Sequence, residues 1–217
     1  AGRILVPAST GTYGDDHVYT SDDGGATWAA PPQPHLAMAG LDEAQLAQLP
    51  NGSILILMRH VSEPWKGKAA SISDDGGVTW GPVSFVDTLR SPVCQASLAT
   101  IGNQSLWYSG ASSTSHERVA LTLRISEDGG LSWPGKLLVD PGPSGYSCLV
   151  PAPLANGGGC RSAAGTLGPC GGVLYEAAKE VLRFVRFPLA YEHTSDEPEL
   201  PEVHVVHNIT CKRPVDG

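Results

Sequence analysis

The chain has 217 residues, 41% of them hydrophobic and 17% charged, a composition that buries a core rather than staying disordered. Its longest aliphatic run, Ile54–Met58, is far short of the ~20 apolar residues of a membrane-spanning helix, so no integral membrane segment is expected. A formal charge of -8 with no basic stripe argues against a nucleic-acid partner.

The 26 glycines and 18 prolines favour turns and short strands over helices. The first residues carry no charged-then-apolar leader, so no targeting segment is expected within the sequence. Five cysteines show no CxxC or His-rich zinc spacing, and neither a metal nor a cofactor is implied. Cys160 and Cys170 flank a Gly-rich loop and either bridge it or remain free thiols. Three sequons begin at Asn51, Asn103 and Asn208. They tilt the compartment toward secreted or lysosomal rather than cytoplasmic, although the first two also read as tight turns.

The predicted elements follow a repeat. Arg3–Val6 is a strand, and the box Ser21-Asp-Asp-Gly-Gly-Ala-Thr-Trp28 follows it. The box recurs as Ser73-Asp-Asp-Gly-Gly-Val-Thr-Trp80 and Ser126-Glu-Asp-Gly-Gly-Leu-Ser-Trp133, with the tryptophans 52 and 53 residues apart. Each box reads as a hairpin turn. Its aspartate accepts from backbone N–H groups of the turn, its glycines permit positive φ, and its tryptophan anchors the next strand in the core. The rival reading, a calcium loop, needs a longer spacing and a distal glutamate.

Around the second box lie strands at Gln45–Leu49, Ile54–Met58, Ala69–Ile72 and Val83–Phe85. The third repeat has Gln95–Ile101, Leu106–Tyr108 and Val119–Ile125 before its box. A fourth, without a box, has Tyr146–Val150, a long Gly-rich loop, Val173–Tyr175 and Val181–Phe187. Four-stranded antiparallel units of this length are propeller blades, so the fold class is all-β. The chain holds three and a half to four blades across residues 1–190. Residues 191–217 are an acidic tail or closing segment, in which Val203–Val206 has the pattern to pair. The first repeat opens at its second strand, so the chain is expected to start in mid-blade; the alternative is a four-bladed ring closed from 191–217.

Meander parity places functional candidates. The starts of strands one and three and the end of strand two share one face; the boxes, after strand three, lie on the other. The first face gathers Asp42, Glu43, Arg59, Arg118, Tyr146 and Glu176: two arginines, a tyrosine and three carboxylates.

At these residues the chain resembles the sialidase (exo-α-neuraminidase) family, nearest its animal cytosolic and lysosomal type. The resemblance rests on the boxes and on Asp42-Glu-Ala-Gln45 followed by Pro-Asn-Gly-Ser, Cys94-Gln-Ala-Ser97, Arg118-Val-Ala-Leu, Gly142-Pro-Ser-Gly-Tyr-Ser147 and Leu174-Tyr-Glu176, in the family's order over residues 2–190. It implies a six-bladed propeller that removes terminal sialic acid from a sialylated glycoprotein, oligosaccharide or glycolipid. By resemblance Tyr146 is the nucleophile and Glu43 takes its proton. Arg59 and Arg118 hold the substrate carboxylate, and Glu176 braces a further arginine. A phenol activated by a carboxylate suits a substrate whose anomeric carbon bears a carboxylate, because an anionic nucleophile would be repelled there. Guanidinium forks match that carboxylate bidentately. The family's first clamp arginine, in an Arg-Ile-Pro motif, and its acid/base aspartate have no match here. The chain is therefore expected to be the carboxy-terminal two thirds of a sialidase and weak or inactive alone. A sialic-acid-binding propeller without catalysis and a structural interaction propeller are the alternatives.

Overall fold

The computed structural model describes residues 2–10, 16–30, 36, 38–61, 66–101, 105–150, 159–161, 165, 167–179, 181–189 and 204–210. Its sheets are antiparallel and follow one another along the chain. The first pairs β1 (Ile4–Ser9) with β2 (Asp16–Ser21). The second is a meander of β3 (Leu41–Gln48), β4 (Ile54–His60), β5 (Lys68–Ser73) and β6 (Ser84–Val86), closed by a 3-10 turn at Asp87–Leu89. The third repeats that order with β7 (Ser97–Ile101), β8 (Ser105–Ala111), β9 (Val119–Ser126) and β10 (Gly135–Pro143). The fourth runs β11 (Ser147–Val150), β14 (Cys170–Ala178), β15 (Val181–Pro188) and β16 (His204–Thr210). The hairpin of β12 (Cys160–Arg161) and β13 (Leu167–Gly168) is inserted between β11 and β14. Cys160 and Cys170 are bridged across the insertion, with Cα atoms 5.4 Å apart. No helix among the described residues is long and apolar enough to cross a membrane.

Apolar faces pack sheet on sheet. Leu49, Leu55 and Leu57 of the second meander meet Leu98, Leu106, Tyr108 and Trp133 of the third. Trp107, Leu121 and Leu123 of the third meet Val173, Tyr175 and Phe187 of the fourth. Val18 of β2 and Leu41, Ile56 and Met58 form the corresponding layer between the first two.

The first box follows β2, and the later two join the third and fourth strands of their sheets. In the first, Asp23 Oδ1 accepts from the Ser21 hydroxyl at 2.8 Å and the Thr27 N–H at 2.9 Å, and Oδ2 accepts from the Thr27 hydroxyl at 2.6 Å. Asp75 and Asp128 repeat the pattern with Thr79 and Ser132. Each later box leans on the sheet before it. A side chain at Gly130, where φ is +90°, would sit 2.8 Å from Leu55, so the close approach requires glycine. The expectation that every box tryptophan is a core anchor needs correction. Trp133 is 1% exposed, packed against the second sheet, but Trp28 is 46% exposed. The tryptophan is covered by the sheet that precedes its own, and among the described residues no sheet precedes β1.

Two further differences concern strand limits. The strand expected at Gln45 begins at Leu41 and so carries Asp42 and Glu43 within β3. The outer strand of the third unit, to which the sequence analysis assigns no residues, is β10, and it includes Pro141, Gly142 and Pro143. Two register shifts against β9 absorb these residues, as bulges on an edge strand do. Within 191–217, β16 pairs with β15 as the outer strand of the fourth sheet.

Candidate active site

The ends of three sheets converge. β3 carries Glu43 at a bulge: Asp42 pairs with Arg59 and Gln45 with Leu57, so the bulged strand has one residue more than its partner. Glu43 has φ +46°, the left-handed region that a side chain disfavours. The Asp42 carboxylate holds this turn, accepting from the Glu43 N–H at 2.8 Å and from the Ser9 hydroxyl at 3.0 Å. β4 brings up Arg59, which is 7% exposed. The loop after β10 presents Tyr146.

The Tyr146 hydroxyl donates to Glu43 Oε1. Arg59 Nη1 donates to Glu43 Oε2 at 2.6 Å and to the Tyr146 hydroxyl oxygen at 3.2 Å. The Arg118 guanidinium lies 5.4 Å from the centre of the Tyr146 ring, over its face. Thus Tyr146, Glu43, Arg59 and Arg118, drawn from three sheets, form one cluster. Asp42 stands behind Glu43 rather than against the phenol.

Glu176 reaches the cluster through the backbone. Its carboxylate accepts from the Tyr146 N–H at 3.0 Å, its N–H donates to the Tyr146 carbonyl at 3.0 Å, and its carbonyl accepts from the Gly145 N–H at 2.8 Å. A Cβ on Gly145 would fall 2.2 Å from the Glu176 carboxylate, so only glycine leaves room for this contact. The arginine-bracing role expected for Glu176 has no partner among the described residues; here the carboxylate caps the tyrosine's own backbone. Beside it opens a cleft of about 450 Å³, lined by Arg118, Ser144, Gly145, Glu176, Lys179 and Leu182. That volume suits a small molecule.

The electrostatics follow from the contacts. Burial, the hydrogen bond to Glu43 and the charge of Glu43 push the Tyr146 phenol up to about 12, while Arg59 and Arg118 pull it down. At neutral pH the phenol therefore keeps its proton and donates it. Burial works against the charge of Arg59, but its hydrogen bond and ion pair with Glu43 outweigh burial and hold its pKa above the ordinary arginine value.

Two residues without an expected role lie against this group. The Lys68 ammonium, 3% exposed, donates to the Cys94 carbonyl at 2.5 Å. The Gln95 side chain accepts from the Ser147 N–H at 3.0 Å and donates to the Ser147 carbonyl at 3.1 Å. Position in the meander carries the missing signal. Lys68 starts the third strand of its sheet, Arg118 immediately precedes the third strand of the next, and Gln95 precedes a first strand, as Tyr146 does.

Residues 1–157 match the model of the BNR repeat-like domain family. A sialidase of Micromonospora viridifaciens is 31% identical over 205 residues, covering 88% of this chain and 28% of that protein. A solved Hadza microbial sialidase superposes with a TM-score of 0.59 at 32% identity, covering 75% of this chain and 30% of its own. A leech intramolecular trans-sialidase, solved with 2,7-anhydro-Neu5Ac, superposes with a TM-score of 0.68 at 23% identity, covering 87% of this chain and 30% of its own; at that identity the likeness is one of fold. The successive sheets are blades of a β-propeller, as in these sialidases. The chain spans less than a third of the length of each of these three proteins.

Proposed function

We propose, from the premise that this chain belongs to the BNR repeat-like domain family and is a homologue of sialidases, that it carries part of an exo-sialidase site acting on terminal α-linked sialic acid of glycoconjugates. The observation that supports this most is the cluster in which Tyr146 donates to Glu43 while Arg59 touches both.

As the Tyr146 oxygen forms its bond to the anomeric carbon, the phenolic proton passes to Glu43 and the glycosidic bond breaks with its electron pair on the leaving oxygen. Glu43 then returns that proton to the Tyr146 oxygen as the bond to the anomeric carbon breaks, and water adds there with net retention, its proton passing to solvent, which has also protonated the leaving oxygen. A neutral nucleophile approaches an anomeric carbon bearing a carboxylate without charge repulsion. Arg59 and Arg118 supply the fixed positive charge that orients that carboxylate.

Within the family we place the chain nearest the animal cytosolic and lysosomal type, on the motifs Gly142–Ser147 and Leu174–Glu176. No residue matches the family's proton donor to the leaving group. General acid help is worth roughly 10²–10⁴ in rate, so turnover of alkyl-linked sialosides by this chain is expected to be weak.

Titration with free sialic acid, followed by changes in the protein's NMR spectrum, tests the substrate assignment without needing turnover. The expected result is saturable binding that Arg118→Ala weakens about tenfold or more, the loss of one charge-assisted contact. Equal affinity in the parent and in Arg118→Ala contradicts the assignment.

A further inference from the structure

We infer that Lys68 and Gln95 are positioning residues, setting the Tyr146 loop and the Arg118 guanidinium through the extended link 92–96 that precedes β7; this rests on the proposed roles of Tyr146 and Arg118. Three successive residues of the link are anchored to three different sheets. The Val93 carbonyl accepts from Arg118 Nη2 at 3.0 Å. The Cys94 carbonyl accepts from Lys68. The Gln95 amide makes two hydrogen bonds with the backbone of Ser147, the residue next to Tyr146, and donates a third to the Ala96 carbonyl at 2.7 Å. A shift of the link therefore moves the tyrosine and the arginine together.

Lys68 is the fixed end of this strut. Cys94 is 0% exposed, so its carbonyl needs a partner from the protein or ordered water. A methionine would fill nearly the same space as Lys68 without the cost of burying a cation, a cost visible in a lysine pKa pushed down to about 8 by burial. What the ammonium adds is a donor aimed at one carbonyl. Arg118 is otherwise a long, exposed side chain, and its anchor on Val93 decides where its remaining N–H groups point. Misplacement of such groups by about 1 Å is enough to lose most of their effect.

The experiment reads the two side chains directly, in the full chain and without any sialoside. The Tyr146 ring-carbon resonance is identified by its loss in Tyr146→Phe, and the Arg118 guanidinium resonance by its loss in Arg118→Lys. Both are expected to shift or broaden in Lys68→Met and in Gln95→Ala, to return in Lys68→Arg, and to stay in place in Lys136→Met, which alters an exposed lysine of β10. Sialic acid affinity falls about tenfold or more in the first two, as when groups supporting a site are removed. Should Lys68→Met not fold, Gln95→Ala and Gln95→Glu carry the comparison. Resonances of Tyr146 and Arg118 that superimpose on the parent's in the folded variants overturn the inference. Shifted resonances with unchanged sialic acid affinity uphold the strut and count against the substrate assignment instead.

Discussion

The Tyr146 hydroxyl donates its proton to the Glu43 carboxylate across 103 residues of sequence. The two reach each other because Glu43 sits on a β-bulge at φ +46° and Tyr146 on a loop whose backbone is capped by Glu176. A non-glycine residue in that conformation carries strain of order 1–3 kcal/mol, and such strain persists where the surroundings over-determine it. Here Asp42 and Arg59 hold Glu43 from both sides.

Replacing Glu43 by glutamine removes the carboxylate charge while keeping a hydrogen-bond acceptor. The Tyr146 phenol, at about 12 in the parent, is expected to titrate closer to the ordinary value of 10. Tyrosinate absorbance, with Tyr146→Phe subtracted to isolate this residue, measures the change. The folded-state pKa is raised, so the contribution of this group to stability is complete below pH 10 and is lost as pH climbs toward 12. Tyr175, raised to about 12 by burial and by its hydrogen bond to Asp140, titrates in the same window. A denaturation midpoint that stayed flat from pH 10 to 12 would refute this.

The box tryptophans separate by burial. Trp133→Ala removes a side chain 1% exposed between two blades and should cost about 3–5 kcal/mol. Trp28→Ala, at 46% exposure, should cost about 1 kcal/mol or less. Urea denaturation of the two variants checks the order, and comparable losses would contradict the packing described for the boxes.

The boxes act as hydrogen-bonded turns. The Asp23 carboxylate is held at about 2 by the Thr27 hydroxyl first, then by the Thr27 N–H and the Ser21 hydroxyl. Because this pKa is depressed, the group's contribution is present above pH 4 and disappears as pH falls toward 2. Its oxygens are committed to donors within the turn, so calcium or a chelator should leave the melting temperature unchanged. A rise of several degrees with millimolar calcium would show that the boxes hold a cation after all.

The strand order, the boxes and the shared face of Glu43, Arg59, Arg118, Tyr146 and Glu176 were legible because a meander fixes which strand ends lie together. Local chemistry announced each turn. The exposure of Trp28 was not legible, since it depends on which sheet lies against it. Nor were the bounds of β10, whose two prolines are accommodated by bulges. Lys68 lies in Gly-Lys-Ala-Ala, which reads as a solvated lysine at a strand end. Its burial arises where the second and third sheets meet, and nothing in its neighbours carries that information. Glu176 was placed on the right face, but its contact with the Tyr146 N–H depends on the missing side chain of Gly145.

Release of a fluorescent phenol from an aryl α-sialoside, by this chain and by its Tyr146→Phe variant, tests the central claim most directly. A phenol leaves without help from a proton donor, so the reaction isolates Tyr146, Glu43 and the two arginines. The account predicts slow release with retained configuration by the parent and none above background by the variant. Equal release by both, or none from a parent shown to be folded, would contradict it.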